Sequence, residues 1–269
     1  MKKSILFIAF SLILLLATAC GGDDDGDALD EKNLKVGVTP GPHEEILEKV
    51  KEVAEDDGLD IEIDVISDYS TLNIALSEGD LDLNSYQHRP FMDEMNEDRG
   101  LGLVEVAQTV NFPMGIYSDD ISDIDELEKG DKIGLPNDPT NSARALILFE
   151  EAGLITLDED ADVTATVKDI EENELDLDFV ELEAAQIPRQ LGELKAAAIN
   201  TNYAIEAGYI PTEDALQLEP NDSPWVNIIS VREENEDDEA VEKFIDAYQT
   251  DEVKDFIEEN YKDSLIVTW

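Results

Sequence analysis

Residues 132–153 read KIGLPNDPTNSARALILFEEAG, and this stretch decides the fold class. Residues 132–135 make a short strand, the Pro-Asn-Asp-Pro run turns the chain, and residues 141–151 make a helix that Gly153 closes. A strand followed closely by a helix is the unit from which α/β domains are built.

The alternation extends outward on both sides. Toward the N-terminus, residues 34–39 (LKVGVT) are a strand ended by Pro40-Gly41-Pro42. Residues 44–55 carry Ile46, Leu47, Val50, Val53 and Ala54 at helical spacing, with Gly58 after them. Ile61, Ile63 and Val65 then alternate with Glu62 and Asp64, as a half-buried strand does. A short helix over 72–77, a strand over 81–83, a helix over 90–99 and two extended stretches within 104–117 follow. Ser122 and Asp125 form a capping-box start for a helix reaching Lys129. Toward the C-terminus, 179–182 is a strand and 184–191 a helix. The small-residue strand 196–199 runs into Asn200, 227–231 is a further strand, and helices cover 236–249 and 251–261. Ligands of such α/β folds lie outside the carboxyl ends of the strands, so the loops there are where site residues belong.

The first residues set the compartment. Met-Lys-Lys, a mostly apolar run from Ile5 to Ala17 and small residues before Cys20 describe a secretory signal over residues 1–19. The run is shorter than the roughly 20 residues of a spanning helix. Cys20 is the sole cysteine, which excludes an internal disulfide and suits a lipobox whose thiol carries a fatty acyl chain such as palmitate. Residues 20–33 (CGGDDDGDALDEKN) then form a charged, flexible tether. Its aspartates lack calcium-loop spacing, and no metal site is expected.

With 67 acidic and 18 basic residues in 269, the formal net charge is −49. Phosphate binding needs Lys/Arg patches, so nucleic acid is excluded as a partner. A surface this acidic suits either high external salt, where the Debye length is about 3 Å at 1 M and self-repulsion is screened, or a calcium-rich or polycationic wall environment. Catalysis finds no support. Neither His43 nor His88 sits in a zinc motif, and there is no nucleophile elbow, P-loop or dinucleotide fingerprint.

Arg144 is the most informative residue. It lies early in its helix beside Ser142, Ala143, Ala145, Leu146 and Ile147, none of them charged. A cation there opposes the helix macrodipole, so local stability does not ask for it. Either its fork binds a ligand carboxylate or it pairs with a nearby acid such as Asp138. Asn200 and Asn202 follow a buried-looking strand and Asn227 opens another; each suits a turn or cap, and together they offer amides to an amino acid. Tyr69, Tyr86 and His88, with Phe112 and Met114, suit either ordinary packing or an apolar slot.

The chain resembles the methionine-binding lipoproteins of the NlpA/MetQ family, substrate-binding components of ABC importers. The resemblance runs from Leu34 to Trp269, on TPGPHEEIL, DYSTLNIALSEGDLDLNSYQHRPFMD, IGLPNDPTNSARALILFEEAGLI, ELEAAQIPRQL, AAAINTNYAIEAGYIPT, SPWVNIISVR and AYQTDEVKDFI. It implies a two-lobed periplasmic-binding-protein type II fold with a hinged interlobe cleft. Lobe 1 would be residues 34–112 plus 226–269, and lobe 2 residues 113–225. By motif position it puts the ligand arginine on Arg144, the ligand asparagines on Asn200 or Asn202 and on Asn227, and the side-chain slot on Tyr69, Tyr86 and His88. Ser70-Thr71-Leu72, Ala143 and Trp225 depart from the family's pattern beside that slot. The ligand implied is methionine, L-methionine first, with D-methionine, methionine sulfoxide or a Gly-Met dipeptide as alternatives. Also implied are a monomer without cofactor, a permease and an ATPase as partners, and a lipid anchor on the outer face of the cytoplasmic membrane. A surface lipoprotein with an adhesin-like role is the competing reading.

Overall fold

The computed structural model describes residues 28–269 apart from Asp222. The signal sequence, Cys20 and the tether as far as Asp27 lie outside the described residues. From the N-terminus come β1 (Asn33–Val38), α1 (Pro42–Asp56), β2 (Asp60–Val65), α2 (Tyr69–Glu78), β3 (Leu83–His88), α3 (Arg89–Arg99) and β4 (Leu103–Asn111). The middle of the chain holds β5 (Gly115–Tyr117), β6 (Lys132–Pro136), α4 (Pro139–Glu151), β7 (Thr156–Leu157), β8 (Ile170–Glu172) and β9 (Asp178–Leu182). It continues with α5 (Ile187–Gln190), β10 (Ala196–Ile199), α6 (Thr201–Glu206), α7 (Pro211–Asp214) and β11 (Gln217–Leu218). The last elements are β12 (Val226–Arg232), α8 (Glu239–Tyr248), α9 (Asp251–Tyr261) and β13 (Ile266–Val267).

Two main sheets divide these strands and make an α/β fold of two lobes. One has the order β13-β4-β12-β3-β1-β2 and the other β11-β5-β10-β6-β9. The chain therefore passes between lobes at residues 112–114 and again at 219–225. Helices are held by burial of one face. In α1, Pro42 sits in the first turn, and Ile46, Leu47, Val50 and Ala54 are buried against β1 and against Phe244 of α8. Burying each large aliphatic side chain contributes about 1.5–3 kcal/mol, so Val50→Ala would loosen this layer. In the second lobe Leu146 and Phe149 of α4 pack on Ile133 and Leu135 of β6.

Three expected elements are corrected. The strand expected over 81–83 is β3, further along, because Asn84, Ser85, Gln87 and His88 are buried although polar. Their cost is met by tertiary bonds: Gln87 accepts from Asn73 Nδ2 at 2.6 Å and donates to Ser230 Oγ at 3.0 Å. The helix expected from Ser122 to Lys129 is one 3-10 turn, Ile124–Glu126, with the capping box on Asp123 and Glu126. Gly130, at φ 84°, turns the chain away soon after. The helix expected over 184–191 is α-helical only in α5, flanked by 3-10 turns, because Pro188 has no N–H to give and is tolerated only in a first turn. Among the described residues no helix is long and apolar enough to cross a membrane.

Candidate functional site

Helix starts supply most of the site. The parallel strands β1, β3, β6 and β10 each run into a helix (α1, α3, α4 and α6), and their carboxyl ends face one cleft between the lobes. Asp68 starts α2 by accepting from Thr71 N at 2.7 Å, which places Tyr69 at the cleft. Asp138 does the same for α4, accepting from Asn141 N at 2.9 Å. Gly41 takes φ 81° where the first lobe touches the second: a Cβ there would meet the Asn202 carbonyl at 3.4 Å.

The cleft holds a small cavity of about 20 Å³, room for little more than one water with the side chains as they stand. All seven expected residues line it: Tyr69, Tyr86, His88, Arg144, Asn200, Asn202 and Asn227. His43, Gln87, Phe91, Phe112, Asn141 and Thr201 line it as well. Met114 does not; it lies in the core of the second lobe with Ile116 and Leu135.

Most polar atoms here already have protein partners. His88 Nδ1 accepts from Phe91 N at 3.2 Å, capping α3, so Nε2 carries the proton and donates to Asn141 Oδ1 at 3.2 Å. Asn141 Oδ1 also accepts from Asn200 Nδ2 at 2.8 Å, while its own Nδ2 donates to Asp138 at 2.9 Å. Asn141 is thus a hub that sequence reading passed over. Asn200 keeps a buried Oδ1 with no hydrogen-bond partner among the described residues. Asn202 has both amide atoms engaged across the lobes. Its Oδ1 accepts from Tyr69 Oη at 2.8 Å and its Nδ2 donates to Thr39 Oγ1 at 3.3 Å.

His43 holds Asn227. The Asn227 amide nitrogen donates to His43 Nε2 at 2.9 Å and to the Tyr86 carbonyl at 3.1 Å. His43 Nδ1 must then donate to Thr39 Oγ1, 2.8 Å away. Its ring stacks on Phe112 with centroids 4.3 Å apart. Burial pushes both imidazoles down to about 3, and for His88 the nearby Arg144 charge adds to the effect. Both rings are therefore neutral near pH 7. Burial also raises the Tyr69 and Tyr86 phenols, so they stay protonated donors.

Arg144 pairs within the protein, but not with Asp138. Its Nε donates to Glu219 Oε1 at 2.8 Å and its Nη2 to Glu219 Oε2 at 2.6 Å, with a further bond from Nη2 to the Phe112 carbonyl at 2.8 Å. Nη1 takes no part in these bonds. Both side chains are almost wholly buried, at 3% and 5% exposed. The Trp225 ring lies 5.5 Å from the Arg144 guanidinium carbon, and its centroid is 5.1 Å from that of His88. Glu219 was invisible in the sequence, one carboxylate among 67.

The family model described as NlpA lipoprotein matches residues 34–269. A relative from Escherichia coli strain K12, named D-methionine-binding lipoprotein MetQ, is 41% identical over 258 residues, covering 95% of this chain and 94% of its own. The crystal structure of the methionine binding protein MetQ superposes with a TM-score of 0.87 at 42% identity, over 89% of this chain and 99% of that one. A nutrient binding protein from Burkholderia cenocepacia, solved bound to methionine, gives 0.86 at 42% identity, over 88% and 100%.

Proposed function

The chain belongs to the NlpA lipoprotein family, and from that premise we propose that it is the substrate-binding lipoprotein of an ABC importer, enclosing methionine between its lobes. The observation that carries this reading is a complementary pair of groups that the protein leaves open in the cavity, Nη1 of Arg144 and Oδ1 of Asn200. One is a fixed donor with positive charge and the other a buried acceptor, which suits the carboxylate and the ammonium of a free amino acid. Asn227 adds a second acceptor, since its bonds to His43 and Tyr86 use only Nδ2. Tyr69, Tyr86, Phe91 and His88 form an aromatic wall for the thioether, whose sulfur gains from ring contact. Asn202 serves closure, because its amide already spans the lobes. The ligand leaves unchanged for a permease worked by an ATPase.

Acylated Cys20 holds the protein, as a monomer, at the outer face of the cytoplasmic membrane, and the acidic surface matches high external salt. Mass spectrometry of ligand released from purified protein, with calorimetric titration by L- and D-methionine, methionine sulfoxide and Gly-Met, tests the reading. Methionine in the released fraction is expected, and another solute, or no heat with any of these ligands, overturns it. Cys20→Ser should leave the membrane fraction with unchanged affinity; a variant still membrane-bound in low and high salt removes the anchor from the account.

A further inference from the structure

Glu219 belongs to the second passage of the chain from lobe to lobe and is bonded to the first. It follows β11 directly, at the start of the second passage. Its backbone N–H donates to the Met114 carbonyl at 2.9 Å, and its Oε2 accepts from Met114 N at 2.8 Å. One side chain therefore staples the first passage to the second. The same carboxylate takes two bonds from Arg144, whose Nη2 also reaches the Phe112 carbonyl in the first passage. Nη1 of Arg144 is left for the cavity.

We propose that Glu219 is the positioning residue of the ligand site: it fixes the guanidinium so that Nη1 alone meets a ligand carboxylate, and it ties that contact to both interlobe passages. The proposal rests on the reading of the cavity as an amino-acid site. Its physical basis is the fork. A guanidinium held along its Nε–Nη2 edge by a carboxylate cannot rotate without breaking two charge-assisted bonds. Ligand binding thereby acts on a group already bonded to the hinge. Closure around the ligand then loads the Arg144–Glu219–Met114 chain rather than a free side chain.

Glu219→Gln tests this, because it keeps the volume and one acceptor but in either orientation of the amide sets its N–H₂ against an Arg144 donor, Nε or Nη2. Affinity for L-methionine should fall about 10- to 100-fold, the scale of a lost bond to a charged group. In an Arg144→Ala background the same substitution should cost no further affinity, since Glu219 acts through Arg144; an equal loss in both backgrounds overturns positioning. A ligand-free readout covers the case in which Arg144→Ala does not fold. Trp225 packs on the guanidinium, and Trp269 is the other tryptophan of the chain. With Trp269→Phe present, Glu219→Gln should shift Trp225 fluorescence, and an unchanged spectrum overturns the proposal. Wild-type protein that binds neither enantiomer of methionine defeats the reading of the cavity instead, and Trp225 then decides positioning alone.

Discussion

Arg144 and Glu219 meet in a two-pronged ion pair, Nε on Oε1 at 2.8 Å and Nη2 on Oε2 at 2.6 Å, although 75 residues separate them in the chain. A cation opposed to the helix macrodipole is expected to be dispensable to the ligand-free protein, and this pair overturns that expectation for Arg144. Removing the cation leaves a carboxylate buried with Met114 N as its main remaining donor.

Arg144→Ala should therefore weaken both ligand binding and the ligand-free fold. Breaking a buried pair by truncating one partner costs roughly 3–5 kcal/mol of stability. Affinity should fall about 30-fold to a few thousand-fold from the lost carboxylate contact. Melting of the ligand-free protein beside calorimetric titration reads both. Arg144→Ala/Glu219→Gln should melt higher than Arg144→Ala, because no charge is then stranded.

Asn200 and Asn202 should fail in different ways. Asn200→Ala removes the buried unpartnered acceptor, so the preference of the variant for methionine over its analogue lacking the amino group should fall, with Asn227 Oδ1 as the acceptor that remains. Asn202→Ala keeps that preference but loses the bonds to Tyr69 and Thr39 that join the lobes. Ligand should then dissociate faster, by about tenfold for one or two neutral bonds. Equal loss of amino-group preference in both variants would sink the division of labour.

What the sequence disclosed and what it hid follow from one distinction. Elements stabilised by their own pattern, such as α1 with its apolar residues at helical spacing, were legible. Arg144 stood out because a cation among small and apolar neighbours near a helix start has no local reason to be there, but its partner Glu219 did not. Elements stabilised by distant partners were hidden. In β3 all six residues are buried and four of them are polar, and Asn73 and Ser230 satisfy Gln87. His43 fits no zinc motif and carries no other signal in the sequence; only the fold brings Asn227 to its Nε2. Met114 reads like a slot residue, yet its side chain turns into the second lobe's core.

His88 should make stability depend on pH. Its imidazole is pushed down to about 3 in the fold, against about 6.5 in the unfolded chain. Between those values the unfolded chain holds a proton that the native state refuses. The contribution is thus complete above about pH 6.5 and is lost as pH falls toward 3, at up to about 1.4 kcal/mol per pH unit. His43 adds a like slope for the same reason. His88→Gln cannot titrate, so denaturant melts between about pH 4.5 and 7 should show a slope shallower by close to one proton. Parallel slopes for the two proteins would mean that His88 is not held neutral.

The acidic surface should make stability depend on salt. Among the described residues the ion pairs are mostly exposed, as Lys129–Asp176 and Lys243–Glu239 are, and such pairs contribute at most about 1 kcal/mol each. They cannot offset a formal net charge of −49, so repulsion should oppose the compact state in dilute buffer. Molar salt shortens the Debye length to about 3 Å, less than most distances between surface carboxylates, and removes that opposition. The Arg144–Glu219 pair is buried and responds little to the same ions. The thermal midpoint of the ligand-free protein should therefore rise steadily from low salt to molar chloride. Potassium and sodium chloride should act alike, since screening depends on ionic strength. Arg144→Ala should show the same rise, displaced to lower temperature, because the surface repulsion and the buried pair are separate terms. A midpoint that does not move with salt contradicts the halophilic reading of the surface, and a rise that vanishes in Arg144→Ala would assign the salt effect to the hinge instead.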